Sequence, residues 1–368
     1  MDQDKAGIGK GYLLAFSFLF DRTQPMVGNS LYKFLFYLVL VLLVQPILSS
    51  CKSQNETHAG KGKEGGASQH VVYRLKWLYN ASVAGDIWAQ EGGIFKAHGL
   101  DVEVKEGGPE QDAIKDLELH RAHFGVASAD QVIRAAEKGA KVVVLAQFFQ
   151  INPLQWIYDA SRCQINDPRG LKRYIVGVTY GSNDEAILMA LLGKYHISLE
   201  QVKLYAVTYD FNPFWKGEVD LWPVYKNTQG ILLSYKMEKN HQRPGFFDPN
   251  RFGIHFVANS LITSRWLLEK DPGLVSSFTK AIIEAWRQAM DPDMEDRIVQ
   301  AIHDKAPDTP LPIIKRQLQA TREMVAPSGV TVGNIDKEAW QQTYEIMLSQ
   351  GLIKHELDVN SLLEGPPL

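Results

Sequence analysis

The residues best placed to do chemistry are aromatic and acidic side chains at turns that follow apolar, strand-like runs. Trp77, Asn80, Gly85 and Asp86 follow the first run, Ser128 and Asp130 the third, and Asn152 sits in a crossing segment. Tyr180, Gly181, Ser182 and Glu185 open a helix-like stretch, and Phe211, Trp222 and Tyr225 lie at later turns. Flat rings offer faces on which a planar ligand can stack, worth about 0.5–1.5 kcal/mol per good pair beyond burial. Carboxylates accept hydrogen bonds and suit a ligand that presents an amine beside a ring nitrogen. The turns carry Asp86, Asp130, Asp184, Glu185 and Asp210 but neither Arg nor Lys, which counts against a buried anion. Asp184 and Glu185 have an equally good second role, stabilising a helix start with negative charge. No paired carboxylates, Ser–His pair or metal-spaced cluster stands out. Trp88 and Trp156, inside apolar periodic runs, read as core, and so does the lone His255.

These turns must be positioned by alternating strands and helices. "VVYRLKWLY" (71–79) alternates apolar and polar residues as a strand does. "AGDIWAQEGGIFKAHG" (84–99) has helical spacing and stops at Gly99. "LDVEVKEG", "AHFGVAS" and "KVVVLAQFF" read as further strands separated by helices, which implies a mainly parallel sheet flanked by helices. A similar unit restarts after Asp167-Pro168 with "YIVGVT", "SNDEAILMALLGKYH" and "VKLYAVT", and "FGIHFVANSLIT" (252–263) returns as extended chain. The remainder reads as helices at 264–270, 273–290, 294–304, 310–325 and 336–351. Two α/β lobes joined by crossings near Gln150–Gln155 and His255–Ser260 result. One lobe is 71–152 plus 259–368 and the other 153–258. Open α/β sheets bind ligands beyond the carboxyl ends of their strands, so the cleft between lobes is the expected site.

Four blocks carry a family resemblance: "LKWLYNASVAGDIWAQEGGIFKAHGLDVEV", "FGVASADQVIRAAEKGAKVVVLAQF", "DPRGLKRYIVGVTYGSNDEAILMALL" and "KGEVDLWPVY". They resemble one superfamily of solute-binding proteins, the ABC-importer receptors for thiamine pyrimidine precursors, riboflavin, taurine, alkanesulfonates and nitrate. It also includes a fungal-type thiamine pyrimidine synthase. The resemblance implies a type II periplasmic-binding-protein-like fold with a helical C-terminal extension. It implies a small-molecule ligand, an ABC transporter permease as partner, and no cofactor or metal. In the synthase, a lysine and a histidine lie on the loop after the third strand, and a cysteine cluster lies where the second lobe returns. Here the loop Gly125–Gln131 has neither Lys nor His, and Gly253–Val257 has no Cys. A binding protein is therefore expected rather than an enzyme, with an aminopyrimidine favoured over a flavin, an alkanesulfonate or nitrate. Gly217-Glu218-Val219-Asp220 resembles a family turn in which Asp220 holds the backbone.

The N-terminal region points to a location. The apolar run Phe34 to Val44, about eleven residues, is too short for a membrane-spanning helix, which needs roughly 20. It has the length of a signal-peptide core, with Lys33 before it. Leu48-Ser49-Ser50-Cys51 resembles the lipobox of bacterial lipoproteins, which makes Cys51 the acylated residue. Residues 1–50 are then a leader, whose start fits Met26 better than Met1, and 51–70 a polar tether. The expected location is extracytoplasmic, held to the bacterial membrane by lipid. With two cysteines in 368 residues, Cys163 has no disulfide partner once Cys51 carries lipid. A formal charge of −3 gives no basic field for nucleic acid.

Overall fold

The computed structural model describes residues 70–365, apart from Pro109 and Tyr209. The leader, Cys51 and the tether lie outside the described residues. Among the described residues no helix is long and apolar enough to cross a membrane.

The first sheet is built from β1 (His70–Arg74), β2 (Asp101–Lys105), β3 (Phe124–Ala127), β4 (Val142–Gln147) and β10 (Ser260–Ser264), in the order β2-β1-β3-β10-β4. β1 pairs parallel with β2 and β3. β10 inserts antiparallel between β3 and β4, because it returns from the other lobe. The second lobe has β5 (Leu154–Asp159), β6 (Ile175–Val178), β7 (Lys203–Ala206), β8 (Trp222–Tyr225) and β9 (Pro244–Phe247). β6 and β7 pair parallel, β5 lies antiparallel between β8 and β9, and a Val176–Leu221 bridge joins the two ladders. The sheets form two α/β lobes, as the resemblance implies, and the C-terminal region is helical.

That region follows the apolar periodicity closely, with helices at Arg265–Lys270, Pro272–Met290, Glu295–Lys305, Leu311–Val325 and Lys337–Ser349. The longest shows why. Asp271 caps it by accepting the Leu274 N–H at 2.9 Å, and Pro272 sits in its first turn. Leu274, Val275, Phe278, Ala281, Ile282, Ala285, Trp286 and Ala289 then recur at helical spacing and are all buried. Phe278 stacks on Phe124 of β3 with ring centres 3.8 Å apart. The stretch 84–99 is two helices, Ala84–Glu91 and Ile94–Ala97, interrupted at Gly93 in a left-handed conformation (φ 73°).

The C-terminal helices also brace the crossings. Asn152 Nδ2 donates to the Phe256 carbonyl at 2.9 Å and its Oδ1 accepts the Leu154 N–H, so one side chain ties one crossing to the other. Thr343 donates to the His255 carbonyl, and Trp340 Nε1–H donates to Gln147 Oε1. His255 is exposed rather than part of the core. Trp88 and Trp156 are buried, as their periodic settings require.

Candidate functional site

A cavity of about 430 Å³ opens between the two lobes. One wall comes from the segment after β1 (Lys76, Trp77, Asn80, Ser82), the 108–113 loop and the end of β3 with Gln131. The other comes from Thr179–Asp184, Phe211, β8 and the π-helical turn Lys226–Gly230, whose Thr228 and Gln229 line it. Asn259, at the return crossing, joins the lining. Trp77, Asn80, Tyr180, Gly181, Ser182, Phe211, Trp222 and Tyr225 therefore converge at the cavity, all but Trp222, the first residue of β8, at or beyond the carboxyl end of a strand. Phe211 and Trp222 pack with ring centres 5.4 Å apart, and Tyr180 is 58% exposed at the mouth.

Six residues expected at the cleft do not line it. Gly85 faces the core, where a Cβ would come within 2.2 Å of the Trp286 ring. Asp86 is buried beside it, and its Oδ1 accepts from Tyr73 O–H (2.6 Å) and Trp286 Nε1–H (3.2 Å). Burial pushes the Asp86 carboxyl up from 3.8 to about 7, although these two donors pull it down. Ser128 and Asp130 are buried at the start of helix Ala129–Glu137, so that Val126, Ala127 and Gln131 form the wall instead. Asn152 is the clasp between crossings described above. Glu185 accepts the Gly181 N–H at 2.8 Å and so serves the helix start rather than the cavity.

Side chains around the cleft engage nearby backbone N–H groups, and Asp184 does so in the turn before its helix rather than in the helix's first turn. Asp184 Oδ2 accepts the Thr179 N–H at 2.6 Å, and burial raises its carboxyl pKa despite such bonds. Asp112 accepts the Ile114 and Lys115 N–H groups. Gln131 Oε1 accepts from the Ser128 N–H and hydroxyl. Asn80 Oδ1 accepts from the Ser82 N–H and hydroxyl, and its Nδ2 donates to the Leu78 carbonyl. Asp210 caps outside the cavity by accepting the Asn212 N–H, and Asp220 accepts the Ile175 N–H, holding its turn.

A cation does reach the cleft, contrary to the expectation from the turns. Lys76 donates to Tyr225 Oη at 2.9 Å and lies 5.4 Å from the centre of that ring. It was missed because it belongs to a strand-like run, whose last residues instead bend inward. Gln111, Asp112, Thr228, Gln229 and Asn259 were also missed. The signal for the 108–113 loop was the Gly107-Gly108 pair, since a Cβ at Gly107 would come within 2.1 Å of the Leu75 carbonyl. Nothing in the local pattern marks Thr228 or Asn259. Cys163 is buried away from the cavity, its thiol pushed up to about 11 by burial and by the nearby Asp220 charge.

The described fold matches solved binding proteins over most of its length. The aliphatic sulphonate binding protein SsuA of Escherichia coli aligns with TM-score 0.66 and 15% identity, covering 82% of this chain and 93% of that one. The alkanesulfonate-binding protein SsuA of Xanthomonas axonopodis pv. citri, bound to MOPS, aligns with TM-score 0.63 and 13% identity, covering 82% of this chain and all of that one. An enzyme shares the fold too: the desulfurization enzyme DSZB aligns with TM-score 0.57 and 13% identity over 80% of this chain and 96% of that one. A Haemophilus influenzae protein named "Putative thiamine biosynthesis protein" is 23% identical over 190 residues, 51% of this chain. The match spans 59% of that relative's length. The model of the family described as NMT1/THI5 like matches residues 80–295, more than half of the chain, and takes in the cleft lining except Lys76 and Trp77. The chain belongs to the NMT1/THI5-like family.

Proposed function

We propose that this chain is the extracytoplasmic solute-binding component of an ABC-type importer, anchored through lipid on Cys51, and that its cleft takes a planar aminopyrimidine, a thiamine pyrimidine precursor. The observation that carries the ligand class is the cleft wall. Trp77, Tyr180, Phe211 and Tyr225 line it, with Trp222 buried against Phe211. Asn80, Asp112 and Gln131 engage backbone N–H groups on one wall, while Asp184 and Glu185 engage the Thr179 and Gly181 N–H groups of the turn on the other. An anion bound at a helix start needs such N–H groups free. A heterocycle needs stacking faces and a few polar groups, which this cleft has. A volume near 430 Å³ lies at the lower end of the roughly 300–1,000 Å³ of small-molecule sites and suits one ring better than a three-ring flavin.

Two lines of likeness support the reading. The Haemophilus relative's name concerns thiamine, and the structural neighbours are mainly binding proteins. In such folds the lobes close over the ligand, and the closed form is what a permease would recognise. We place the chain with receptors rather than catalysts, because the described cleft lining contains neither His nor Cys and Cys163 is a buried thiol of raised pKa. Lys76 favours a second reading, an alkanesulfonate receptor like the SsuA proteins, since its bond to Tyr225 uses one of three ammonium donors; the thermal-shift panel below decides between the two.

The ligand test is a thermal-shift panel containing the hydroxymethyl aminopyrimidine of thiamine, riboflavin and an alkanesulfonate. A ligand at 100 times its Kd raises stability by about 2.7 kcal/mol. The aminopyrimidine alone is expected to raise Tm, and a shift confined to the sulfonate or the flavin would overturn the ligand assignment. Metabolic labelling with a fatty-acid analogue tests the anchor: label should be lost in Cys51→Ser, and equal label in both proteins would rule the anchor out.

A further inference from the structure

Asn259 stands apart from the other amides of the cleft. It is 3% exposed, it lines the cavity, and its Oδ1 is buried without a hydrogen-bond partner. Among the described residues, it is the cleft-lining side chain with such an orphaned buried atom. The neighbouring amides differ: those of Asn80, Gln131 and Gln229 have their carbonyl oxygens engaged by nearby N–H and O–H groups. A buried acceptor left unpaired is costly and is rare in folded proteins.

The backbone holds Asn259 firmly in place. Its carbonyl accepts the Phe148 N–H at 3.0 Å and the Phe149 N–H at 3.3 Å, where the first crossing begins. The next residue, Ser260, pairs with Ala127 of β3 and Gln147 of β4. The side chain is thus presented from a rigid position where the return crossing meets the first sheet.

A carboxamide sets one acceptor beside one N–H donor. This is the complement of a heterocycle edge carrying an exocyclic amine next to a ring nitrogen, as when Asn or Gln reads adenine in DNA. We propose that Asn259 reads this edge of the ligand, Oδ1 accepting from the exocyclic amine and Nδ2–H donating to the adjacent ring nitrogen. The inference rests on the aminopyrimidine reading above. It transfers the recognition of the amine from carboxylates, which this cleft commits to its own backbone, to one amide that is unengaged.

The test is isothermal titration calorimetry on the full-length chain with two probes: the hydroxymethyl aminopyrimidine of thiamine, and the same pyrimidine with hydrogen in place of the amine. Wild type should prefer the amine-bearing probe. Asn259→Ala should lose about 5- to 150-fold for that probe and less than about twofold for the other, so the preference collapses. Retained affinity for the second probe doubles as proof that the variant is folded. Should Asn259→Ala fail to fold, Asn259→Ser serves the same comparison with a smaller cavity. Equal losses for both probes, or no preference in wild type, would overturn the role of Asn259 while leaving the aminopyrimidine reading intact. Failure of wild type to bind the aminopyrimidine at all would overturn both.

Discussion

Lys76 Nζ and Tyr225 Oη meet at 2.9 Å although 149 residues separate them in the chain. Asn183 Nδ2 donates to the same phenolic oxygen at 3.3 Å. One oxygen on β8 therefore joins the segment after β1 to the start of helix Asn183–Lys194, and all three residues line the cavity. Lys76 is thus anchored across the cleft through one of its three ammonium donors.

Tyr225→Phe keeps the ring and removes this shared acceptor. A net hydrogen bond contributes about 0.5–1.5 kcal/mol, so aminopyrimidine affinity should fall roughly 2- to 12-fold with an unchanged circular dichroism spectrum. Calorimetric titration checks it. Unchanged affinity would show that the bridge plays no part in the bound state.

Glu185→Gln should alter ligand affinity by less than about twofold, since a neutral carboxamide oxygen can still accept the Gly181 N–H. Loss of the negative charge at the helix start should cost up to about 1 kcal/mol of stability. Titration and urea unfolding read the two effects separately. A large affinity loss with normal stability would return Glu185 to the ligand.

Gly85→Ala should destabilise the fold by about 1–3 kcal/mol, because the new methyl meets the buried Trp286 ring, itself fixed by its Asp86 bond and by stacking on Phe148. The midpoint of urea unfolding measures it. A neutral outcome would mean that the two helices part freely at this contact.

Asp86 makes stability depend on pH. Its folded carboxyl titrates near 7 against an ordinary 3.8, so the folded state holds a proton that the unfolded chain releases. Its contribution is complete below about pH 4 and is lost as pH rises toward and through 7. Asp86→Asn keeps a neutral oxygen for Tyr73 and Trp286 and should flatten this part of the Tm-versus-pH curve, with its gain relative to wild type appearing above pH 7. Parallel curves for the two proteins would contradict the assignment.

What could be read from the sequence follows from what is local. The helix Pro272–Met290 carries its own cap and apolar stripe, so its bounds were evident within a residue. The turns that bear Trp77 and Tyr180 follow β1 and β6, and strand direction alone puts them at the cleft, whereas Trp222 is the first residue of β8. Gly85, Asp86, Ser128 and Asp130 lie on helices, and which way a helix face points depends on its packing partner. For Asp86 that partner is Trp286, 200 residues away. β9 and the helix Ile231–Lys239 escaped notice because their short mixed runs lack clean periodicity, and the apolar run around Trp156 marks core without showing that it is strand β5. Asn259 was invisible for another reason. Its distinguishing property is the absence of a partner, which only the assembled neighbourhood reveals.

The most direct test of the central claim is a tryptophan-fluorescence titration of the purified full-length protein with the hydroxymethyl aminopyrimidine and, separately, with an alkanesulfonate. Trp77 and Trp222 line the cavity, so a ring stacked there should quench or shift their emission. The account predicts saturable change with the aminopyrimidine, reduced in Trp222→Ala, and none with the sulfonate. Saturation by the sulfonate, with the aminopyrimidine silent, would contradict it.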